Sequence, residues 1–300
     1  MTKFKSWITA FRLRTLPLAI SSVLMGSFLA IASGTYDWLL ILLSIITTLF
    51  LQILSNLAND YGDGMKGTDN LNRIGPKRTI QTGEISPKEM KLGIVVFVLL
   101  SLVSGIWLII ESLGSNWHMG LLFLVFGLAA IAAAIKYTVG NNAYGYSGFG
   151  DLFVFLFFGL LAVGGTYFLN THRFDWEILL PASAIGLLSA GVLNLNNMRD
   201  MENDAKSGKR TLALALGYNY SIIYHTFIIT ASMLLLVVFM LLDYNNPWQF
   251  IFVISFPTMV KELIEINKLT DKSLLDPYLK KLAFSTLILT LLFGMGIIFG

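Results

Sequence analysis

An all-α bundle of about nine membrane-spanning helices is the fold this sequence predicts, and three observations predict it. Hydrophobic residues make up 55% of the 300 residues and charged residues only 13%, about half the charge that a soluble domain carries to cover itself. The apolar residues gather into runs of roughly 20, the length a helix needs to cross the hydrocarbon of a bilayer. Lysine and arginine fall almost wholly on one side of the topology those runs define. Barrel strands would be about ten residues long and alternate in polarity; these runs do neither.

Taken in order, the expected spans are Leu16–Ser33, Trp38–Ala58, Leu92–Glu111, Met119–Lys136, Phe149–Leu169, Ile178–Met198, Tyr220–Leu242, Trp248–Ile266 and Leu279–Phe299. Lys3, Lys5, Arg12 and Arg14 precede the first span like the basic stretch of a signal peptide. That run is long for a signal, however, and Thr35-Tyr36-Asp37 leads straight into the next one. With the N-terminus in the cytoplasm, twenty basic residues lie inside and only Arg173 outside, which leaves Gly300 outside. The expectation is a multi-pass protein of the cell (inner) membrane, with the lipid bilayer as its solvent. The outer connections are short, whereas two inner segments, 59–91 and 199–219, are long and polar. No linker divides the chain, so 1–300 reads as a single transmembrane domain with those two segments as its cytoplasmic active-site loops.

Several classes of function drop out on composition. There is no cysteine, which removes disulfides and thiolate metal sites, and the three histidines are too scattered for a zinc motif. A net charge of +3 gives no sign of a nucleic-acid partner. The density of chemically capable side chains lies in the two long inner segments.

Each of those segments begins with an acidic array. Asn56, Asp60 and Asp63 fall at i, i+4 and i+7, and Asn196, Asp200 and Asp204 at i, i+4 and i+8, each set on one face of a helix. Carboxylates stacked in this way repel unless a cation sits between them. Hard oxygen donors suit Mg²⁺, which takes one or two carboxylates and keeps its other positions for water and phosphate oxygens. Two such faces opposed across a bundle could clamp a diphosphate, with Lys77, Arg78, Lys209 and Arg210 neutralising the remaining charge. The strings Gly75-Pro76-Lys77-Arg78-Thr79 and Gly208-Lys209-Arg210-Thr211 follow the two arrays in the same sense. They mark a weak parallel duplication, four spans apart.

With these strings in view, the chain resembles the UbiA-type membrane prenyltransferases. Asn59-Asp60-x-x-Asp63 and Asn197-x-x-Asp200-x-x-x-Asp204 are similar to the family's two aspartate-rich motifs. Arg14-Thr15-Leu16-Pro17-Leu18, the run from Leu51 to Asp63, Arg73-Ile74-Gly75-Pro76, Tyr137-Thr138-Val139-Gly140-Asn141, Tyr144-Gly145-Tyr146 and Phe157-Phe158-Gly159 bring it closest to the menaquinone branch, the 1,4-dihydroxy-2-naphthoate polyprenyltransferases. Where other members extend the first motif with an Asp four residues on, this chain has Gly67 and then Asp69. That departure weakens Asp69 as a metal ligand.

The resemblance implies a nine-helix bundle around a central cavity and a Mg²⁺-dependent reaction. A polyprenyl diphosphate would give its chain to the ring carbon of 1,4-dihydroxy-2-naphthoate that bears the carboxylate, with loss of CO₂ and diphosphate, yielding demethylmenaquinol. Asp60, Asp63, Asp200 and Asp204 would hold the metal, supported on the diphosphate by Asn56, Asn59, Asn196 and Asn197. Tyr61, Tyr137, Tyr144, Tyr146 and Phe149 are placed to steady an allylic cation or to form an interfacial belt. Arg14, Arg199 and Lys136 are the candidate anchors for the acceptor's carboxylate, and Asp151 could orient a naphthol hydroxyl or only charge a helix start. Two rivals stay open: a sister enzyme acting on 4-hydroxybenzoate or homogentisate, and a secondary transporter, whose polar sites would be expected nearer mid-membrane.

Overall fold

The structure, a computed structural model, describes residues 2–68 and 74–300. Every named element in these residues is helical. Eight helical segments are long and apolar enough to cross a membrane: Lys3–Ala32, Trp38–Lys66, Pro87–Leu113, Trp117–Lys136, Gly150–Thr171, Trp176–Lys206, Tyr218–Leu242 and Lys272–Phe299. The ninth expected span is present as a 3-10 stretch, Pro247–Ser255, running into an α-helix, Phe256–Lys268. Its second half carries Lys261, Glu262, Glu265 and Lys268, so a run that opens apolar closes as a charged one.

The first segment is two helices. α1 (Lys3–Phe11) ends at Arg12, whose φ of 51° is left-handed, and α2 (Leu16–Ala32) resumes after a single 3-10 turn. α1 departs from the sequence expectation, which has only a basic stretch before the first span. Its hydrophobic side covers the start of the bundle, with Trp7 and Phe11 packed beside Leu57, Ile85 and Met90. Pro17 fits the first turn of α2, where no amide donor is needed.

α3 (Trp38–Lys66) starts at Asp37, whose carboxylate accepts the Leu39 N–H, and stops at Gly67, whose φ of 72° lets the chain turn away. It therefore runs past the expected end at Ala58 and carries Asp60 and Asp63 on helix. α4 (Pro87–Leu113) opens with a reciprocal cap between Ser86 and Glu89. α5 (Trp117–Lys136) is the most lipid-facing helix, with only 6% of its spanning stretch buried.

The fifth span is α6 (Gly150–Val154) and α7 (Gly165–Thr171) joined by a wide, π-type helical stretch over Phe155–Gly164. α8 (Leu179–Lys206) is the axle of the bundle. Leu188, Leu195 and Met198 sit in one core with Met25 of α2, with Ile228 and Leu236 of α10 (Tyr218–Leu242), and with Leu282 and Phe293 of α12 (Asp276–Phe299). α8 also continues past its expected end at Met198, so Asp200 and Asp204 are helical. Short α9 (Leu212–Leu216) and α11 (Phe256–Lys268) complete the chain. Within the segments 59–91 and 199–219, the residues up to Lys66 and Lys206 are thus helical, as are those from Pro87, from Leu212 to Leu216 and from Tyr218.

Candidate active site

A cavity of about 390 Å³ enters the bundle between α2, α3, α5, the fifth span and α8. Its walls are apolar toward the middle of the bundle, with Leu108, Phe123, Phe126, Phe157 and Leu161 among them. Its inner end gathers Arg12, Arg14, Asn56, Asn59, Asp63, Arg78, Asn196, Asp200, Asn203, Asp204 and Lys209. Both acidic arrays therefore reach one space, although Asp60 of the first array is not among its lining residues.

In the first array, Asn56 donates to the Phe11 carbonyl at 2.9 Å and to Thr15 Oγ1 at 3.0 Å, which pins the start of α2 to α3. Asp60 is buried behind the lining, where it pairs with Arg12 and lies 3.4 Å from Arg78 Nε. Asp63 accepts from the Tyr146 hydroxyl at 2.8 Å. Asn59 lines the cavity beside Thr138, whose hydroxyl is 3.4 Å from its Oδ1.

In the second array, Arg199 grips Asp200 with two donors, at 2.9 and 2.6 Å, and donates to Asn196 Oδ1 at 2.9 Å. Lys209 Nζ lies 3.9 Å from Asp204. The Lys209 ammonium is buried, which by itself lowers its pKa, but Asp63 and Asp204 outweigh burial and hold it above the ordinary lysine range. It stays charged. The side-chain oxygens of Asn197 and Asn203 are buried and accept no hydrogen bond among the described residues.

The arrays are also tied to each other. Asn203 Nδ2 donates to the Thr68 carbonyl at 2.7 Å, joining the end of α8 to the end of α3. The Arg210 N–H donates to the Tyr146 carbonyl at 3.1 Å, and the Tyr146 ring lies beneath the Lys66 ammonium, 3.9 Å from its centre. Tyr146, from the loop after α5, thus joins the first motif to the Lys209-Arg210 stretch that follows the second. Burial raises its phenol and keeps it protonated, as a donor to Asp63 must be.

The remaining candidates divide. Tyr137 and Tyr144 line the cavity, ring edge to ring face at 5.4 Å, with Tyr144 stacked on Phe153 at 4.1 Å. Burial pushes the Tyr137 phenol up to about 12. Arg14 lines the cavity and lies 3.5 Å from Asp276. Arg199 does not line it; its side chain is wholly buried behind Asp200. Lys77, Lys136, Arg210 and Phe149 are exposed, and none is among the lining residues. Asp151 is buried against Tyr224, 3.5 Å away, and is not among the lining residues. Asp69 and Arg73 lie outside the described residues.

Arg12, Lys280 and Asn203 also line the cavity, though no sequence motif marks them. From the sequence Arg12 and Lys280 read as topological charge, and only long-range packing shows otherwise. Asn203 stood next to Asp204 and could have been found by extending the second helical face by one residue.

No three acidic or histidine side chains among the described residues stand close enough to cage a metal alone. The donor set instead fits an ion shared with a substrate. It offers carboxylates from two helices and the buried carboxamide oxygen of Asn203, which has no partner among the described residues, facing basic groups that match phosphate oxygens, while Asn197 is buried outside the lining.

A family model described as the UbiA prenyltransferase family matches residues 19–288. The chain is 42% identical over 99% of its length to a 1,4-dihydroxy-2-naphthoate octaprenyltransferase of Haemophilus influenzae, covering 97% of that protein. It is 39% identical over 99% of its length to the enzyme of the same name in Escherichia coli, covering 96% of it. Among solved structures, a UbiA homolog from Archaeoglobus fulgidus bound to DMAPP and Mg2+ aligns with a TM-score of 0.61 at 18% identity, over 95% of this chain and 98% of that one. A UbiA homolog from Aeropyrum pernix K1 aligns with a TM-score of 0.68 at 16% identity, over 96% and 98%.

Proposed function

This chain belongs to the UbiA prenyltransferase family, and from that membership we infer that it transfers a polyprenyl chain from its diphosphate to 1,4-dihydroxy-2-naphthoate, giving demethylmenaquinol for menaquinone biosynthesis. The observation that carries the reading is the pairing of near full-length identity to enzymes of that name with a cavity that is ionic at one end and apolar along the rest. A long allylic diphosphate has that same polarity. The aspartates sit at the helix ends, as a membrane-boundary site requires and a mid-membrane transport site does not. Distribution of the basic residues supports a cytoplasmic N-terminus and a site open to the cytoplasm.

Asp63, Asp200 and Asp204, with the carboxamides of Asn59, Asn196 and Asn203, would hold a divalent metal on the diphosphate. Magnesium, when bound there, would stabilise negative charge on the departing diphosphate. Lys209 and Arg78 face the same oxygens and add fixed positive charge where negative charge develops. Asp60 orients the Arg12 and Arg78 guanidiniums. The allylic C–O bond breaks with its electron pair going to diphosphate. The ring carbon that bears the carboxylate forms the new C–C bond, and the bond to the carboxylate then breaks, returning its pair to the ring as CO₂ leaves. No proton is gained or lost in the sum. Tyr137, Tyr144 and Phe153 wall the reacting carbons from water, which would otherwise trap the cation as an alcohol, and Arg14 is the lining guanidinium suited to hold the acceptor's carboxylate.

The test is an acceptor panel. Membranes containing the protein receive Mg²⁺, a polyprenyl diphosphate and, separately, 1,4-dihydroxy-2-naphthoate, 4-hydroxybenzoate or homogentisate, and products are weighed by mass spectrometry. A prenylated product lacking one carboxyl group, formed from the naphthoate alone, is expected. Product from a different acid only would replace this reading with a sister activity.

A further inference from the structure

We propose that Asp276, in the first turn of α12, is a positioning residue for the active site: through the buried guanidinium of Arg199 it fixes the carboxylate plane of Asp200 toward the cavity. The proposal rests on the metal–diphosphate reading above and adds a residue from the last span, 76 positions beyond the second acidic motif, which no motif marks. The Arg199 side chain has no exposed surface. Its Nε and one Nη hold the two oxygens of Asp200 at 2.9 and 2.6 Å, that same Nη reaches Asn196 at 2.9 Å, and the other Nη contacts Asp276.

A guanidinium fork sets the orientation of the carboxylate it grips, because both are planar. A carboxylate offers about four acceptor positions, and the fork occupies one on each oxygen. Asp200 lines the cavity and Arg199 does not, so the carboxylate plane that the fork sets is the one presented to the candidate metal and diphosphate. What keeps the fork from turning is its far end. Asp276 holds it there, itself braced by Arg14 at 3.5 Å and favoured as an anion at a helix start. One carboxylate thereby sets two guanidiniums, one behind the metal ligand and one lining the acceptor side. Its role is that of the outer partners that orient metal-binding side chains, whose loss typically weakens metal binding about 10–100-fold.

The experiment titrates Mn²⁺ into detergent-solubilised full-length protein in the presence of inorganic diphosphate, read by electron paramagnetic resonance. Asp276→Asn, which keeps the shape and drops the charge, should weaken Mn²⁺ binding by about tenfold or more. The half-saturating Mg²⁺ in turnover should rise in step, with kcat recovering at high Mg²⁺, a split that a general loss of packing would not produce. Should Asp276→Asn not fold, Arg199→Lys carries the same test, since it retains a cation between the two carboxylates but has no fork. Tight Mn²⁺ binding in the wild type and equally tight binding in the variants would overturn this inference alone. Wild-type protein that binds no Mn²⁺ with diphosphate would overturn it together with the function on which it rests.

Discussion

Lys209 is enclosed by protein, and the two carboxylates near it decide its charge. Because Asp63 and Asp204 raise its folded pKa above the value of about 10.4 for an unperturbed lysine, the stabilisation it provides is complete below that pH. It is lost only as pH climbs through the higher folded value. Thermal midpoints of wild type and Lys209→Met should therefore differ by a constant gap from about pH 6 to 9, and converge only in stronger alkali. Turnover makes a second demand on the same groups. Asp204→Asn and Asp63→Asn should each lower kcat/KM by at least about a hundredfold, the scale of losing one fixed group at a developing charge, with membrane insertion unchanged; steady-state product formation checks this. These aspartates were legible in the sequence because helical spacing alone puts them on one face. Their partners were not. Arg12 reaches Asp60 across 48 positions and Arg199 reaches Asp276 across 77, and no local pattern encodes such pairs.

At the scale of elements, the inner ends of α3 and α8 work because the loop after α5 comes down onto them. Thr138 donates to the Ala58 carbonyl at 3.0 Å, and a Cβ placed on Gly62 would stand 2.7 Å from the Thr138 carbonyl carbon. Gly62→Ala should thus lift the loop that carries Tyr137 and Tyr146. The expected cost is about 1–3 kcal/mol of stability, as in other overpacked sites, with activity falling further than stability explains; thermal melts beside initial rates separate the two. The crossing of the fifth span on α8 has the same character, since a Cβ on Gly159 would meet the Ala182 carbonyl oxygen at 2.6 Å. Hydropathy located all nine apolar runs, most of them within a few residues. It misplaced the ends of α3 and α8, because their last turns are polar on the cavity side while the helical hydrogen bonds continue. It passed over α1, whose few apolar residues lie among lysines and arginines, and it had no means of seeing that Arg12 turns the chain through a left-handed conformation.

The whole molecule joins a soluble headgroup's chemistry to a lipid's tail. One end of the cavity is an ionic cluster at the membrane boundary and the rest is an apolar slot beside α5, the helix least covered by protein. Fold class was readable from composition because a chain with this little charge has no other solvent, and the two long polar segments stood out as the candidate site because nearly all the polar density lies in them. The meeting of those segments in one cavity was not, since sequence separation says nothing about which helix ends face each other. Replacing Mg²⁺ by an excess of chelator should stop turnover and allow its return when Mg²⁺ is restored, with the protein still folded throughout.

The most direct measurement counts both leaving groups together. The protein in membranes is given a polyprenyl diphosphate and 1,4-dihydroxy-2-naphthoate labelled in its carboxyl carbon, with Mg²⁺ and then with chelator. The account predicts labelled CO₂ and diphosphate released in equal amounts, each matched by prenylated product, and neither released once the metal is removed. Diphosphate release without CO₂, or both continuing in excess chelator, would contradict it.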